Sequence, residues 1–274
     1  MGTNSIRSNL NKNDIISEII LMNGADINKD KFHVIVEGKD DIDFLKRFLD
    51  SNVILYESYS GKTGVEEIIR DMGKRIPRII GIRDKDYCSS PSDANIFFYD
   101  NCCIEMMLLN SDQSYDTIYN AFYSGTVEKR DLKEHILQEL KKISVLRKYN
   151  EQNRKNIKFD GLKIGSLVDG NGKITRQNLV INLREINPQN GLEFEKIIDE
   201  SIGENKDILL DITNGHDFLN CFKAICDKTK NNAVKAETIF SVLQAAFSND
   251  DMKNTLLYNS ICNHINGNCR FWCC

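Results

Sequence analysis

Phe32-His33-Val34-Ile35-Val36-Glu37-Gly38 is a compact run of mostly apolar, β-favouring residues that stops at an acid and a glycine. Such a run, bounded by turn residues, predicts a buried strand. The flanking pattern turns one strand into a fold. Ile42, Leu45 and Leu49 follow at helical spacing, with Phe44 and Phe48 beside them and Asp40 or Asp41 available as a cap. Val53-Ile54-Leu55-Tyr56 is a second strand. Val65, Ile68, Ile69, Met72 and Ile76 then fall on one face of a helix. Arg78-Ile79-Ile80-Gly81-Ile82 is a third strand and leads into Arg83-Asp84-Lys85-Asp86-Tyr87; Ile96 to Tyr99 is a fourth, and a helix is expected from about Ile104 to Leu109. Helical crossovers between short apolar strands require parallel pairing with right-handed connections. The expected class is therefore α/β: a small parallel, Rossmann-like sheet flanked by helices, followed by a mainly helical C-terminal half.

In such a sheet ligands bind beyond the carboxyl ends of the strands, where strand order reverses. Glu37 is the first residue past strand one, and Asp84 and Asp86 lie just past strand three. If strands one and three are neighbours, the three carboxylates converge. Like charges that converge call for a positive partner, and a hard dication such as Mg²⁺ or Mn²⁺ prefers carboxylate oxygens. The plainer alternative is that Asp-Lys-Asp forms a solvated turn and that Asp41 only caps its helix. Ser60-Gly61-Lys62-Thr63-Gly64 resembles a phosphate loop at first sight. However, the first glycine of G-x-x-x-x-G-K-[ST] falls on Tyr56. Backbone amides near Gly61, together with the basic residues Lys39, Lys62 and Lys85, remain candidates for touching phosphate.

The chain has 274 residues, 41% hydrophobic and 28% charged, a composition that suits a soluble globular protein with a sizeable core. A net charge of −4 argues against indiscriminate coating of nucleic acid, so any such binding must come from a local patch. Lys141, Lys142, Arg147, Lys148, Arg154, Lys155, Lys158 and Lys163 supply one, opposed only by Glu151 and Asp160. No run of about 18 apolar residues suggests a membrane span, and Ile15 to Met22 lacks a basic lead-in, so a cytoplasmic protein without membrane contact is expected. The nine cysteines are then reduced thiols. Cys262, His264, Cys269, Cys273 and Cys274 match no paired zinc spacing, and a frayed tail is the expectation there. Three segments are anticipated: an N-terminal helical stretch over 1–29, the α/β domain over 30–125, and a mostly helical region over 126–274. Within the last, Leu162 to Val168 and Leu179 to Leu183 look strand-like.

Val36-Glu37-Gly38-Lys39-Asp40-Asp41, then Ile82-Arg83-Asp84-Lys85-Asp86, resembles the TOPRIM signature of a Glu-Gly after the first strand and an Asp-x-Asp after the third. Topoisomerases, bacterial primases and OLD-family nucleases share it. Asp100-Asn101-Cys102-Cys103-Ile104-Glu105 and Asn214-Gly215-His216-Asp217-Phe218 narrow the likeness to the bacterial TOPRIM-like family that includes the nuclease effector of the PARIS anti-phage system. The resemblance implies a Mg²⁺-dependent endonuclease acting on RNA or DNA, with tRNA among the substrates, in phage defence beside an ABC/AAA-type ATPase partner. A homodimer is a further expectation. It implies metal ligation by Glu37, Asp84 and Asp86, with Glu105 and Asp41 as additional acids, and a late motif in His216 and Asp217 of unassigned role. No strand-passage or zinc-binding primase module is visible, which favours a free-standing nuclease. The rival expectation is a catalytically silent TOPRIM-like module that binds or regulates the ATPase.

Overall fold

The computed structural model describes residues 11–169, 172–229, 234–265 and 270–273. The chain forms two compact units. One comprises Met1–Asp100 with Ser248–Cys274; the other is Asn101–Phe247. These divisions differ from the anticipated boundaries at 29/30 and 125/126, for reasons visible in the packing of each unit.

The first unit contains α1 (Lys12–Ala25), β1 (Phe32–Val36), α2 (Lys39–Leu45), β2 (Val53–Glu57), α3 (Gly61–Met72), β3 (Ile79–Arg83) and β4 (Ile96–Phe98). Among the described residues the strands form one sheet of order β2-β1-β3-β4, and every pairing is parallel. All residues of β1 and β3 are buried, as expected of strands covered on both faces. The core gathers Ile35, Val65, Ile68, Ile69, Met72, Ile79 and Ile96. Burying such a side chain contributes roughly 1.5–3 kcal/mol, an upper bound set by the extended reference chain. Gly81 sets the approach of helix to sheet: a Cβ there would lie 2.7 Å from Val65 Cγ1 and 3.0 Å from Ile69 Cγ1.

Ile15 and Ile19 of α1 belong to this same core, so the N-terminal helix is part of the sheet unit rather than a separate segment. The C-terminal stretch returns to it as well. Asp100 accepts hydrogen bonds from the Leu256 and Leu257 amides, at 2.8 and 2.9 Å, and so anchors the start of a late helix. The expected frayed tail is corrected over its described part. Phe271 and Trp272 are buried, Trp272 bridges Leu49, and the Cys273 amide donates to the Phe48 carbonyl at 2.8 Å. Aromatic burial outweighs the loss of chain entropy there. Cys269 and Cys274 lie outside the described residues; the described cysteines are free thiols.

The second unit is helical. It holds α4 (Ile104–Asn110), α5 (Asp112–Phe122), α6 (Lys129–Asn153), α7 (Ile164–Leu167), α8 (Arg176–Ile186), α9 (Phe194–Glu204), α10 (Leu209–Ile212), α11 (Gly215–Thr229) and α12 (Ala236–Ala246). Back in the first unit follow α13 (Asn249–Lys253) and α14 (Leu256–His264). The two strand-like runs are therefore corrected to helices. Leu179, Val180 and Leu183 bury one side of α8, whose start is capped by the Thr175 hydroxyl. Spacing and cap outweigh the β-branched composition of so short a run. Among the described residues of that region, an isolated bridge between Val168 and Ile174 keeps extended pairing. Among the described residues no helix is long and apolar enough to cross a membrane.

Candidate functional site

The chain passes from β1 to β2 on one side, then crosses back to β3 on the other. Strand order thus reverses between β1 and β3, the position where such sheets bind ligands. Val36 pairs with Ile82, so Glu37 emerges beside the end of β3. The structure brings Glu37 and Asp84 into direct contact: Glu37 Oε1 accepts the Asp84 amide hydrogen at 2.8 Å. The other oxygen, Oε2, faces the turn after β2, where a Cβ on Gly61 would stand 3.6 Å away. Burial raises the Glu37 carboxyl above the usual range, opposed by the Asp84 amide and reinforced by the carboxylates of Asp41 and Asp86.

Each neighbour has local employment. Asp41, buried, accepts the Gly38 amide hydrogen at 2.9 Å and ties the first turn of α2 to its entry residue. Asp86 sits at φ +49° and receives the Lys62 ammonium at 2.9 Å. Gly61 also has φ +49°, a conformation that glycine adopts without strain. Lys39 is exposed, and Lys85 is half-buried in the Asp84–Asp86 segment.

Three residues of this site escaped sequence reasoning. Arg83, 2% exposed, ends β3. It donates to the Asp84 carbonyl at 2.6 Å, pairs with Glu66 at 3.0 Å and lies over the Phe98 ring at 4.6 Å. Ser58 donates to the Gly61 carbonyl at 2.7 Å and to the Glu37 carbonyl at 3.3 Å, tying the turn after β2 to the end of β1. Tyr99 is buried; its hydroxyl is held well above the ordinary tyrosine range, first by burial and then by the carboxylates of Asp41, Asp84 and Glu37.

Carboxylate oxygens are the right donors for a hard dication. Among the described residues, however, no group of three or more His, Cys, Asp or Glu side chains is arranged to hold a metal ion. The acids instead face a backbone amide and a lysine ammonium.

The other predicted residues lie in the second unit. Glu105, in the first turn of α4, is buried. Its Oε1 lies 3.8 Å from Nδ1 of His216, whose side chain is 80% exposed. A Cβ on Gly215 would come within 2.4 Å of Glu105 Oε2. Asp217 accepts two hydrogen bonds from Arg147, at 2.8 and 2.9 Å, so its role is to clamp α11 to α6. Arg147 also covers Phe159 at 4.4 Å. The basic patch is accordingly smaller than its sequence suggests. Lys142 pairs with Glu139, Arg147 with Asp217 and Lys148 with Asp207, and Lys141 is half-buried, leaving Arg154, Lys155, Lys158 and Lys163 as its exposed members. The same unit has a cavity of about 690 Å³ bordered by Tyr115, Lys129, Lys133, Leu137, Ile208 and Leu210. Compared with known proteins, the chain matches no protein-family model and no curated sequence.

Proposed function

We propose that this chain is a Mg²⁺- or Mn²⁺-dependent TOPRIM-type endonuclease, with Glu37, Asp84 and Asp86 as its acidic set. The observation that carries the reading is the meeting of Glu37 with Asp84 at the ends of neighbouring parallel strands, where strand order reverses. Asp41 and Asp86 add negative charge close enough to raise the proton affinity of Glu37. Such a cluster is relieved by a dication. When bound, Mg²⁺ would supply charge neutralisation and polarisation of a phosphoryl oxygen. Glu37 and Asp84 would hold the ion at the strand ends, and Asp86 is the third acid of the set. Lys39, Lys62 and Lys85 would draw the phosphate backbone toward the acids. Glu37, with its raised proton affinity, is the candidate for moving a proton.

By the resemblance described above, the activity belongs to anti-phage defence, with tRNA among the candidate substrates and an ABC/AAA-type ATPase as partner. A second reading draws on a different observation. Asp86 is paired with Lys62, and no metal-holding group is preassembled among the described residues. These features favour a silent TOPRIM-like module that docks on an ATPase.

One assay separates the two. The chain, alone and with its ATPase, is incubated with tRNA, single-stranded DNA and duplex DNA in Mg²⁺ or Mn²⁺. The nuclease reading expects cleavage of at least one substrate, and expects Glu37→Gln to lose roughly 10²-fold or more of the rate. No cleavage under any condition leaves the silent module. Cleavage undiminished in Glu37→Gln moves the active site elsewhere.

A further inference from the structure

The helical unit has a cavity of about 690 Å³ to which the proposed activity assigns no role. Tyr115, Leu137, Ile208 and Leu210 give it apolar walls. Its volume and lining are those of a site for a small organic molecule. The charged residues around it differ in depth. Asp112, Lys129, Arg130 and Glu134 are exposed, and Asp116 is held by Lys129. Lys133 is half-buried. Its Nζ donates to the Leu109 carbonyl, near the end of α4, and stands 5.2 Å from the centre of the Tyr115 ring. Both partners are uncharged. They do not replace the water that a surface lysine keeps, so burial lowers the Lys133 pKa below the ordinary 10.5, with Asp112 and Asp116 opposing the shift. More of this side chain is therefore free amine, the nucleophilic form, than of a lysine in water. The Leu109 contact alone would make Lys133 a tie from α6 to α4. Its place beside apolar walls gives the amine a second use.

We propose that Lys133 is the nucleophile of a small-molecule site in this cavity, where it captures an aldehyde or ketone with an apolar body as an imine. The acids Asp112, Asp116 and Glu134 offset Lys129, Arg130 and Lys133 around the cavity, which favours a neutral ligand over an anion. The apolar body rests against Leu137, Ile208 and Leu210 and brings the carbonyl carbon to Nζ. The nitrogen lone pair forms the C–N bond while the C=O π pair moves to oxygen. That oxygen leaves as water, taking up the two protons that the nitrogen gives up, and a C=N bond remains. Nothing is oxidised or reduced. No step involves the acids after β1 and β3.

The test treats the whole chain, near neutral pH, with 2-naphthaldehyde and cyanoborohydride, which reduces an imine to a stable secondary amine. Peptide mass spectrometry locates the label. Formaldehyde, which lacks an apolar body, is run in parallel, and thermal melts report folding. Lys133 should react about 10-fold or more faster than the exposed Lys155 and Lys158, an effect of roughly 1.4 kcal/mol. Its rate should saturate as 2-naphthaldehyde rises, and formaldehyde should show a smaller preference. Ile208→Ser trims the apolar wall at a position 66% exposed. It should slow labelling of Lys133 by 2-naphthaldehyde and leave labelling by formaldehyde unchanged. If Ile208→Ser melts early, Ile208→Thr carries the same comparison. Labelling of Lys133 by 2-naphthaldehyde no faster than that of Lys155 and Lys158 overturns the proposal. Lys133 is then only a tie between α6 and α4, seen as a lower melting temperature in Lys133→Met. An equal preference with formaldehyde overturns the apolar site, and so does a preference that Ile208→Ser does not reduce.

Discussion

His33 lies at the centre of the sheet, fully buried on β1, with Nδ1 3.0 Å from the Tyr56 hydroxyl and the two rings stacked. Among the described residues its Nε2 has no hydrogen-bond partner. Burial lowers its pKa below the ordinary value of 6.5, with Lys31 adding to the shift and Asp26 opposing it. The unfolded chain therefore binds the proton more readily than the folded one. The stability His33 contributes is fully present above the unfolded value and is lost as pH falls through the lower folded value. Melting temperature should drop as pH is taken from 7.5 to 5. Replacing the pair by His33→Phe with Tyr56→Phe removes both polar groups together, avoids an orphaned hydroxyl, and should flatten that dependence. An equally steep profile in the double variant would assign the effect to another group. The acids were legible for a different reason. Glu37, Asp84 and Asp86 follow apolar runs directly, so chain position alone puts them at a sheet edge. Arg83, Ser58 and Tyr99 were not, because their importance comes from neighbours distant in sequence: Glu66, Glu37 and Asp41.

The same contrast holds for the elements. β1 to β4 were visible in outline because an apolar run between turn residues has few alternatives, and the parallel pairing of β1, β2 and β3 follows from the helices α2 and α3 between them. Residues 162–183 were misread because four or five apolar residues are compatible with either state, and the deciding information lay in the Thr175 cap and in burial. Asn214-Gly215-His216-Asp217 was singled out as a motif, and its elements now explain two of its letters. Gly215 begins α11 where Glu105 of α4 leaves no room: an added Cβ would be 2.4 Å from Oε2 and 2.6 Å from Cβ of that side chain. Glu105 is buried and has little space in which to yield. Gly215→Ala should therefore destabilise the fold by about 1–3 kcal/mol, the usual size of an overpacking defect. In a Glu105→Ala background the same substitution should cost much less, a non-additivity that denaturant titration of the four proteins would read as a coupling energy. Additive losses would show that the two helices do not meet through this contact.

For the whole molecule, charge sets what a nucleic-acid reading requires. A chain of net charge −4 gains nothing from its overall field on approaching a polyanion, so affinity must come from a local surface. The structure narrows the exposed surface to Arg154, Lys155, Lys158 and Lys163, since Lys141 is half-buried and Lys142, Arg147 and Lys148 are committed to acids of their own unit. The segment is well fixed in spite of its exposure. α6 ends at Arg154 with φ +50°, and the Asn150 side chain then holds the Ile157 backbone at 2.8 and 3.2 Å. Asn187 does the same for Lys158, at 2.8 and 3.0 Å. Fixed cations lose less entropy on meeting phosphates than cations on a loose tail. Changing all four to Gln should weaken binding of a tRNA or a DNA duplex regardless of sequence. It should also reduce the salt dependence, because each lost phosphate contact removes about 0.7–0.9 from the slope of log affinity against log salt. Melting temperature should stay near wild type, since all four are exposed. If affinity and slope are unchanged while the protein still binds nucleic acid, the contact lies on another surface, and Lys39, Lys62 and Lys85 around the acids become the residues to test next.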